Sequence, residues 1–370
     1  MNMKTLIVSF GDYDYDGRLR ELVSCFEKMG ETDILCRASI SKEKIKYRIQ
    51  ENSYISFLLK LRKYIKQIDN RTNYDAILLD NRKSIIPGRR IIKLLKPNVA
   101  ILDCREFYTF SSSKTIASKF GCIIEKKAIK TSDIVICANE ERAKLMGKMY
   151  GLKNSPIVFQ NLRQLSFGSD YNEEELRKKF PFVNDNAVKI ISTSGCSVFR
   201  TDDVLVKNIH RVNGNCILLL AGDPTEKDKK IITKIIKDNN LKNVFILGRL
   251  NQTEMKYLFS VCHVGIVNYP KTNLNNLYCA SGKLFEYCFE GLPVVTTTNP
   301  PLKRMCDQFG IGAYDDCFAD GINEVIENYE RYKRNVLSFC QINTVENNNL
   351  TFIKDLTDAI NKIKEEKMIS

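Results

Sequence analysis

The sequence has no tryptophan and only two histidines, His210 and His263. Neither histidine lies in a recognisable motif, so we interpret both as packing residues. The thirteen cysteines are an odd number without a C-x-x-C pair, which argues against a disulfide framework or a zinc site and favours a reducing cytoplasm. The acidic loop FGDYDYDGR at residues 10–18 is typical of turn formers rather than of metal ligands. We therefore expect no metal ion or other cofactor to be required.

Long apolar runs are also missing. The apolar run near the N-terminus meets Gly11 and Asp12 before it reaches the length of a signal-peptide core. No window contains the roughly 18 apolar residues that are needed to cross a bilayer. We therefore predict a cytoplasmic protein that is soluble or attached peripherally to the inner face of the cytoplasmic membrane.

The length and the pattern of apolar runs predict two α/β domains. A chain of 370 residues exceeds what one hydrophobic core usually supports. Short runs rich in β-branched residues alternate with amphipathic stretches of helix length, as in βα units around a parallel sheet. Strands are predicted at residues 4–10, 32–36, 74–80, 98–104, 133–138 and 156–160, and then at 188–194, 216–222, 243–248, 264–269 and 293–298.

A polar stretch at residues 162–186 has no strand pattern and separates the two sets of strands. We predict two Rossmann-like domains, at residues 1–165 and 166–345, and a terminal helix at 346–370 that packs back towards the first domain. Two such domains facing each other form a cleft at the carboxyl ends of their strands, where α/β folds place ligands.

The formal net charge of +13 comes mostly from two segments, residues 42–71 and 82–96, each with an excess of six cations. Residues 54–68 place apolar side chains on one helical face: Tyr54, Phe57, Leu58, Leu61, Tyr64, Ile65 and Ile68. This pattern predicts either an interfacial helix on anionic lipid or an ordinary helix packed on a sheet with a cationic exterior. Aromatic residues are not interleaved with Lys and Arg as a stacking platform, so we expect no nucleic-acid partner.

The stretch ASGKLFEYCFEGLPVVTTTNPP, residues 280–301, holds the most specific functional signal. It predicts a short helix starting near Ser281 and Gly282, where backbone N–H groups favour an anion, above all a phosphate. Glu286 lies one turn further in, and an ionised carboxylate has two acceptor oxygens for the two hydroxyls of a ribose. The same spacing also allows a simple i,i+3 ion pair between Lys283 and Glu286 on a solvated face.

The segment SGKLFEYCFEGLPVVTT resembles the donor-binding segment of GT-B glycosyltransferases of the family 4 type. The resemblance covers most of the chain, because three earlier segments are also similar to family segments: VSFGDYDYDGRLRELVSCFEKMG (8–30), LDCREFY (102–108) and IKTSDIVICANEERAKLMGKMYG (129–151). It implies a retaining glycosyltransferase of the hexosyltransferase type. Such an enzyme moves a sugar from a nucleoside-diphosphate sugar to a glycan or lipid-linked acceptor, often in bacterial surface polysaccharide or glycoconjugate synthesis.

The resemblance also implies three groups of site residues. The residues implied to bind the donor are Gly195, Arg200, Gly248, Arg249, Ser281, Gly282, Lys283 and Glu286. Among them, Glu286 would bind the ribose and Arg200 a phosphate. The catalytic candidates are Asp16, Arg105 and Glu106, and the loop near the acceptor or donor contributes Gly11, Asp12 and Arg18. Two positions depart from the family pattern, since Tyr278 replaces a glutamate that meets the donor sugar and Arg105 replaces the histidine of D-x-H-E.

Two other hypotheses remain open, a nucleotide-sugar epimerase of the same fold and a protein that binds a nucleotide sugar without transferring it. Epimerases of this fold usually rely on several carboxylates and histidines in the cleft. Because both histidines of this chain lie outside motifs, the sequence favours the transferase.

Overall fold

The computed structural model describes residues 3–38, 45–68, 73–162, 172–184 and 186–369. The chain forms two compact units, the first of Met1–Asn161 with Glu346–Ser370 and the second of Leu162–Val345. The predicted boundary between residues 165 and 166 lies outside the described residues.

The first unit is built on a parallel sheet with seven strands. They are β1 (Thr5–Asp12), β2 (Thr32–Arg37), β3 (Tyr47–Ile49), β4 (Ala76–Asp80), β5 (Val99–Cys104), β6 (Ile134–Cys137) and β7 (Ile157–Val158). Their order in the sheet is β3-β2-β1-β4-β5-β6-β7. The helices between them are α1 (Gly17–Met29), α2 (Tyr54–Leu59), α3 (Leu61–Gln67), α4 (Ile85–Leu95), α5 (Ile116–Thr131) and α6 (Glu140–Tyr150), with a 3₁₀ turn at Arg82–Ser84.

The second unit is built on a parallel sheet with six strands. They are β8 (Val188–Ser192), β9 (Cys216–Ala221), β10 (Val244–Gly248), β11 (Val264–Val267), β12 (Val294–Thr296) and β13 (Gly312–Tyr314), in the order β10-β9-β8-β11-β12-β13. The helices are α7 (Glu173–Lys179), α8 (Asp202–Asn208), α9 (Glu226–Asp238), α10 (Gln252–Val261), α11 (Leu274–Leu277), α12 (Gly282–Phe289), α13 (Pro300–Phe309), α14 (Ala319–Glu327) and α15 (Tyr329–Ile342). Shorter 3₁₀ turns occur at Pro181–Asn184, Val198–Arg200 and Ile209–Arg211.

The predicted α/β class with two parallel sheets is confirmed, and every predicted strand is present. The observed bounds differ from the predicted ones by a few residues at either end. Strands β3 and β13 were not predicted. Both have three residues and lie at a sheet edge, so neither has a long apolar run that reports a buried strand.

The last helix, α16 (Val345–Ile369), belongs to the first unit although it follows the second unit in the chain. Phe352, Leu356 and Ile360 are fully buried in the same core as Phe26 of α1 and Phe159. The ring centroids of Phe352 and Phe159 are 4.6 Å apart. The apolar positions at helical spacing therefore fill the space on one face of the seven-stranded sheet.

The segment at residues 54–68 differs from its prediction. The chain forms two short helices, α2 and α3, which meet at Lys60, rather than one helix. Four side chains of the predicted apolar face are packed inside the unit, since Phe57 and Leu61 are each 1% exposed and Tyr64 and Ile68 are also buried. The other three, Tyr54, Leu58 and Ile65, are half-buried. The four buried side chains therefore match the ordinary packed helix and are not available to lipid. Residues 42–44 and 69–71 of this basic segment lie outside the described residues.

No disulfide joins the thirteen cysteines, all of which lie in described parts of the chain, and eleven of them are buried. Among the described residues, no helix combines the length and the apolar character needed to span a bilayer.

We predict that Leu356→Ala destabilises the first unit by roughly 2–5 kcal/mol, because the substitution leaves a cavity in a filled core. Leu350→Ala in the same helix is the matched control, since Leu350 is 52% exposed and should change stability by less than about 0.5 kcal/mol. Chemical denaturation of both variants measures the difference. Equal losses would show that α16 is not packed as described.

Candidate functional site

The candidate site lies at the carboxyl edge of the six-stranded sheet. Strands β8 and β11 are neighbours there, and the connections run from β8 towards β9 on one side and from β11 towards β12 on the other. This reversal leaves a crevice between the two loops that follow the central strands. The loop after β8 begins at Thr193, and the chain after β11 leads to α12.

Helix α12 starts at Gly282 with Ser281 as its N-cap residue. The Ser281 side chain forms no hydrogen bond with the first turn of the helix, and its buried hydroxyl has no partner. The first backbone N–H groups of α12 are therefore not satisfied by a capping side chain. A helix start in this state can bind an anion.

Lys283 contacts the loop after β8, and Glu286 lies three residues further along α12. Glu286 is 7% exposed, so the carboxylate is not on a solvated face. Lys283 Nζ is 4.0 Å from Glu286 Oε2, but it donates a shorter hydrogen bond of 2.8 Å to Thr193 Oγ1. The simple surface ion pair therefore does not describe these residues.

Tyr287 also belongs to α12, and its hydroxyl holds Thr193 in position. It accepts a hydrogen bond of 3.0 Å from the backbone N–H of Thr193 and lies 2.9 Å from the Thr193 hydroxyl oxygen. Burial raises the pKa of Tyr287 above its ordinary range, although the hydrogen bonds to Thr193 oppose this shift, so the phenol stays protonated. Neither Thr193 nor Tyr287 was predicted as a site residue.

Three glycines lie at this edge, since Gly195 and Gly222 follow β8 and β9 and Gly248 is the last residue of β10. Gly195, Gly222 and Gly248 all have positive φ, and the N–H of Gly222 donates to the carbonyl of Gly248 at 2.7 Å. A Cβ on Gly222 would lie 2.3 Å from the Cα of Gly195, so the two backbones touch. The predicted residues Gly195 and Gly248 are thus brought together by Gly222, which was not predicted. Arg249 continues this edge, and its backbone N–H donates to Asp223 at 3.1 Å.

Arg200 lies in the 3₁₀ turn of the loop after β8. Its guanidinium carbon lies 4.3 Å from the ring centroid of Tyr269, the second residue after β11. The Nη1 atom is buried and has no hydrogen-bond partner. A stacked guanidinium with an unused buried donor is suited to a phosphate oxygen.

Asp202 organises the loops around these residues and was also missed by the sequence analysis. Its buried carboxylate accepts hydrogen bonds from the hydroxyls of Ser192 and Ser194, from the backbone N–H of Ser197 and from Asn268 Nδ2. Burial raises the pKa of Asp202, and the four hydrogen bonds oppose that shift. The four donors come from the end of β8, from the loop after it and from the residue after β11.

In the first unit, Arg105 and Asp16 are direct partners within a buried cluster of charges. Arg105 donates to both carboxylate oxygens of Asp80, at 2.6 and 2.8 Å, and to Asp16. Asp16 also caps α1 by accepting a hydrogen bond of 3.0 Å from the N–H of Leu19. Burial raises the pKa of Asp80 to about 6, while Arg105 opposes the shift. Arg105 therefore tethers the start of α1 to the sheet.

Arg18, which was predicted to lie near a ligand, is buried and donates three hydrogen bonds within the first unit. Its Nε and Nη2 atoms donate to the two oxygens of Asp103 at 3.0 and 2.9 Å, and Nη1 donates to the carbonyl of Phe159 at 2.8 Å. The guanidinium carbon also lies 4.9 Å from the Phe159 ring centroid. Arg18 joins α1 to β5 and to the residue after β7. Its predicted place in the loop near the acceptor or donor stays a prediction.

The other predicted residues of the first unit lie at the carboxyl ends of β1 and β5. Gly11 approaches Asp16 closely, since a Cβ at Gly11 would lie 3.0 Å from Asp16 Oδ2. Asp12 ends β1, and its Oδ1 accepts a hydrogen bond of 3.2 Å from the N–H of Asp14. Glu106 is half-buried, and its charge adds to the effect of burial in raising the pKa of Tyr108. Catalytic roles for Asp16, Arg105 and Glu106 stay predictions.

No group of His, Cys, Asp and Glu side chains with the arrangement of a metal site occurs among the described residues. His263 precedes β11, and its Nδ1 accepts a hydrogen bond of 3.1 Å from the N–H of Lys189. His210 lies in the 3₁₀ turn before β9. Both histidines are therefore near the amino ends of strands, at the edge opposite the candidate site.

Comparison of the structure with known proteins finds glycosyltransferases of the same architecture. The Anabaena protein Alr3699/HepE, in complex with UDP and glucose, has a TM-score of 0.70 and 14% identity, with 96% of this chain and 100% of HepE covered. WaaG, a glycosyltransferase involved in lipopolysaccharide biosynthesis, has a TM-score of 0.64 and 11% identity, with 96% and 99% covered. A Listeria monocytogenes protein assigned as a UDP-N-acetylglucosamine 2-epimerase has a TM-score of 0.60 and 11% identity, with 99% and 98% covered.

These matches extend over nearly the full length of each protein, so the chain has the GT-B fold with its two Rossmann-like units. No protein-family model matches the sequence, and a sequence search finds no significantly similar curated protein.

We predict that Gly222→Ala destabilises the second unit by roughly 2–4 kcal/mol, because the new Cβ adds overlap with Gly195 to the strain of a positive φ. Gly291→Ala is the matched control. Gly291 also has a positive φ, but a Cβ there meets nothing within 4 Å, so only the backbone strain of about 1–2 kcal/mol applies. Denaturant unfolding compares the two variants, and equal destabilisation would contradict the close contact at the site.

Proposed function

We propose that the chain is a glycosyltransferase whose second unit binds a nucleoside-diphosphate sugar at the carboxyl edge of its sheet. The observation that carries this proposal is the pairing of a buried carboxylate, Glu286, with an uncapped helix start one turn earlier, at Ser281 and Gly282. A ribose diol matches the two oxygens of the carboxylate, and a diphosphate matches the N–H groups of the helix start. The GT-B fold, shared with the UDP complex of HepE, supports the same ligand class.

We also assign roles to the other predicted donor-binding residues, and the contacts of Lys283 and Arg200 support theirs. Lys283 is held in place by Thr193, so its charge sits beside the helix start without free rotation of the side chain. Arg200 offers its unused Nη1 to a phosphate oxygen, and the ring of Tyr269 holds the guanidinium in position. Gly195 lets the loop after β8 pass close to the donor. Gly248 and Arg249 are proposed to lie beside the nucleobase, as the resemblance implies.

We propose that transfer retains the anomeric configuration. The bond between the anomeric carbon and the diphosphate oxygen breaks, the acceptor hydroxyl attacks from the same face, and its proton passes to an oxygen of the leaving phosphate. The main requirement is stabilisation of negative charge on the diphosphate, which fixed cations and helix N–H groups supply without reorganisation. In this scheme neither a metal ion nor a side-chain base is needed, and Asp16, Arg105 and Glu106 act on the acceptor side.

The proposed acceptor is a glycan or a lipid-linked sugar in bacterial surface polysaccharide or glycoconjugate synthesis. The similarity of fold to WaaG, which is involved in lipopolysaccharide biosynthesis, supports this class. The proposed location is the cytoplasm, with peripheral attachment to the inner face of the membrane.

An epimerase is the second candidate, because the Listeria monocytogenes protein shares the fold. The positions of the two histidines favour the transferase. His263 Nδ1 accepts a hydrogen bond from the backbone N–H of Lys189, and both histidines lie near the amino ends of strands, away from Glu286. Incubation with donor sugars in the absence of an acceptor distinguishes the two, since only an epimerase would alter the sugar of the intact nucleotide.

We predict that thermal unfolding in the presence of UDP, GDP, CDP or ADP shows a stabilising shift for one nucleotide, and we expect UDP to give the largest. A ligand at a hundredfold excess over its Kd stabilises the folded state by about 2.7 kcal/mol. In Glu286→Gln the affinity should fall roughly tenfold or more, because a hydrogen bond to a charged group is worth about 1.5–3 kcal/mol.

Glu290→Gln is the matched control for this experiment, because Glu290 is a half-buried carboxylate at the other end of the same helix. Its variant should keep the full nucleotide shift. If Glu286→Gln bound as well as the parent chain, the assignment of Glu286 to the ribose would be wrong. If no nucleotide or nucleotide sugar shifted the transition, the transferase proposal would fail.

We predict that the sugar released by slow hydrolysis of the donor keeps the anomeric configuration that it had in the donor. NMR recorded immediately after mixing follows the anomeric proton before mutarotation mixes the two forms. Release of the opposite anomer would contradict the retaining mechanism while leaving donor binding intact.

A further inference from the structure

Three polar residues follow β12 at the same edge of the sheet as the candidate site. Thr297, Thr298 and Asn299 stand before the two prolines that end the stretch of residues 280–301, and the proposed donor contacts do not use them. Thr297 is 3% exposed, and Asn299 is fully buried. Buried polar side chains form hydrogen bonds within a protein, so their partners indicate what they hold in place. We call these residues the 297–299 segment.

Asn299 precedes helix α13 but does not cap it. The helix begins with Pro300 and Pro301, which have no backbone N–H group, and the Asn299 side chain forms no hydrogen bond with the first turn. Its Nδ2 atom instead donates to the carbonyls of Asn276 and Leu277, at 2.8 and 3.3 Å. These are the last two residues of α11.

The two hydrogen bonds fix the chain that leads into the uncapped start of α12. Residues 278–281 alone separate α11 from Gly282, the first residue of α12. The start of α11 is fixed as well, because the Asn273 side chain accepts a hydrogen bond of 3.0 Å from the N–H of Asn276. The position of the first N–H groups of α12 therefore depends on Asn299.

Thr297 acts on the other group that we assign to the diphosphate, the guanidinium of Arg200. The Oγ1 atom of Thr297 accepts a hydrogen bond of 3.1 Å from the backbone N–H of Tyr269. The ring of Tyr269 packs against Arg200, with 4.3 Å between the ring centroid and the guanidinium carbon. Thr297 therefore holds the residue that fixes Arg200.

Thr298 bonds the segment to a neighbouring loop. Its N–H and its hydroxyl donate to the two carboxylate oxygens of Asp316, which follows β13, at 2.9 and 2.8 Å. Lys271, from the chain after β11, donates to both Thr298 and Asp316. The 297–299 segment is thus bonded both to the loop after β13 and to the chain after β11.

We propose that Thr297 and Asn299 are positioning residues that set the preference of the site for a nucleoside diphosphate over the nucleoside alone. Neither residue is assigned a contact with the ligand. Thr297 places Arg200 through Tyr269, and Asn299 places the start of α12 through α11. This inference rests on the proposed function, because it requires the diphosphate to bind at these two groups.

Packing alone does not account for Asn299. Its Oδ1 atom is buried without a hydrogen-bond partner, as is the hydroxyl of Ser281 at the start of α12. An unpaired buried oxygen costs stability. Asn299 therefore stabilises the unit less than a fully bonded side chain would, whereas its amide group fixes the chain before α12.

Calorimetric titration of the full chain with UDP and with uridine tests the proposal. Uridine lacks the diphosphate, so the ratio of the two Kd values reports the contribution of the diphosphate. Asn299→Asp removes the amide donor and Thr297→Val removes the acceptor oxygen, each with little change in shape. We expect each variant to weaken UDP binding by about fivefold or more, the equivalent of one hydrogen bond, and uridine binding by less than about twofold. Uridine binding should be kept because Glu286 lies further along α12.

The route from Thr297 to Arg200 has its own test. If Thr297 acts through Arg200, the double variant Thr297→Val with Arg200→Met should lose less free energy of UDP binding than the two single variants lose together. Additive losses would contradict the route through Tyr269.

Asn243→Asp is the matched control. Asn243 Nδ2 donates to the carbonyl of Cys216 at 2.9 Å, so this variant loses the same kind of hydrogen bond. Cys216 begins β9 and therefore lies at the edge of the sheet opposite the candidate site. The variant should bind both UDP and uridine like the parent chain.

Three outcomes would overturn the inference: unchanged UDP binding in the variants of Thr297 and Asn299, equal weakening of UDP and uridine, and a matching loss in Asn243→Asp. If Asn299→Asp does not fold, Thr297→Val decides alone. If another nucleotide gives the largest thermal shift, that nucleotide and its nucleoside replace UDP and uridine. Variants that bind UDP like the parent chain would leave the proposed function standing, whereas a parent chain that binds no nucleotide would remove both.

Discussion

The geometry of the candidate site depends on the hydrogen bonds that the buried carboxylate of Asp202 accepts. A charge at that depth is tolerated only when hydrogen bonds replace water, and Asp202 accepts four of them. The donors include Ser197 from the loop and Asn268 from the chain after β11, so one carboxylate fixes both sides of the crevice. Arg200 and Gly195 belong to this loop, and their positions therefore follow from satisfying Asp202.

The first unit also buries carboxylates, and there positively charged side chains compensate them. Asp80 and Asp103 end neighbouring strands and are almost fully buried, and Arg105 and Arg18 supply the charges that compensate them. Breaking a buried pair leaves an uncompensated charge and costs about 3–5 kcal/mol, so these arginines have little freedom to leave their partners. Arg105 therefore shapes the start of α1 through Asp16, whatever part it takes in chemistry.

The sequence was most informative where a residue's environment follows from its own segment. Apolar runs located the central strands, and the motif around Glu286 located the helix start correctly. It was least informative where partners are distant in the chain. Nothing near Arg18 indicates that Asp103 will bury it, and nothing near Asp202 identifies Asn268 as its donor. Short edge strands such as β13 are also missed, because a pattern of three residues is too short to distinguish a strand from a loop.

Residues 54–68 and 116–131 show why amphipathic character alone does not assign a face. Both segments combine lysines with large apolar side chains, and periodicity measures only that the two kinds are segregated. In the first segment the apolar side belongs to the core, as the burial of Phe57 and Leu61 shows. In the second segment, small side chains such as that of Ala128 are packed in the core, and Phe120 is exposed to solvent. The buried face of such a helix is the one that the sheet covers, and this is determined only in the folded unit.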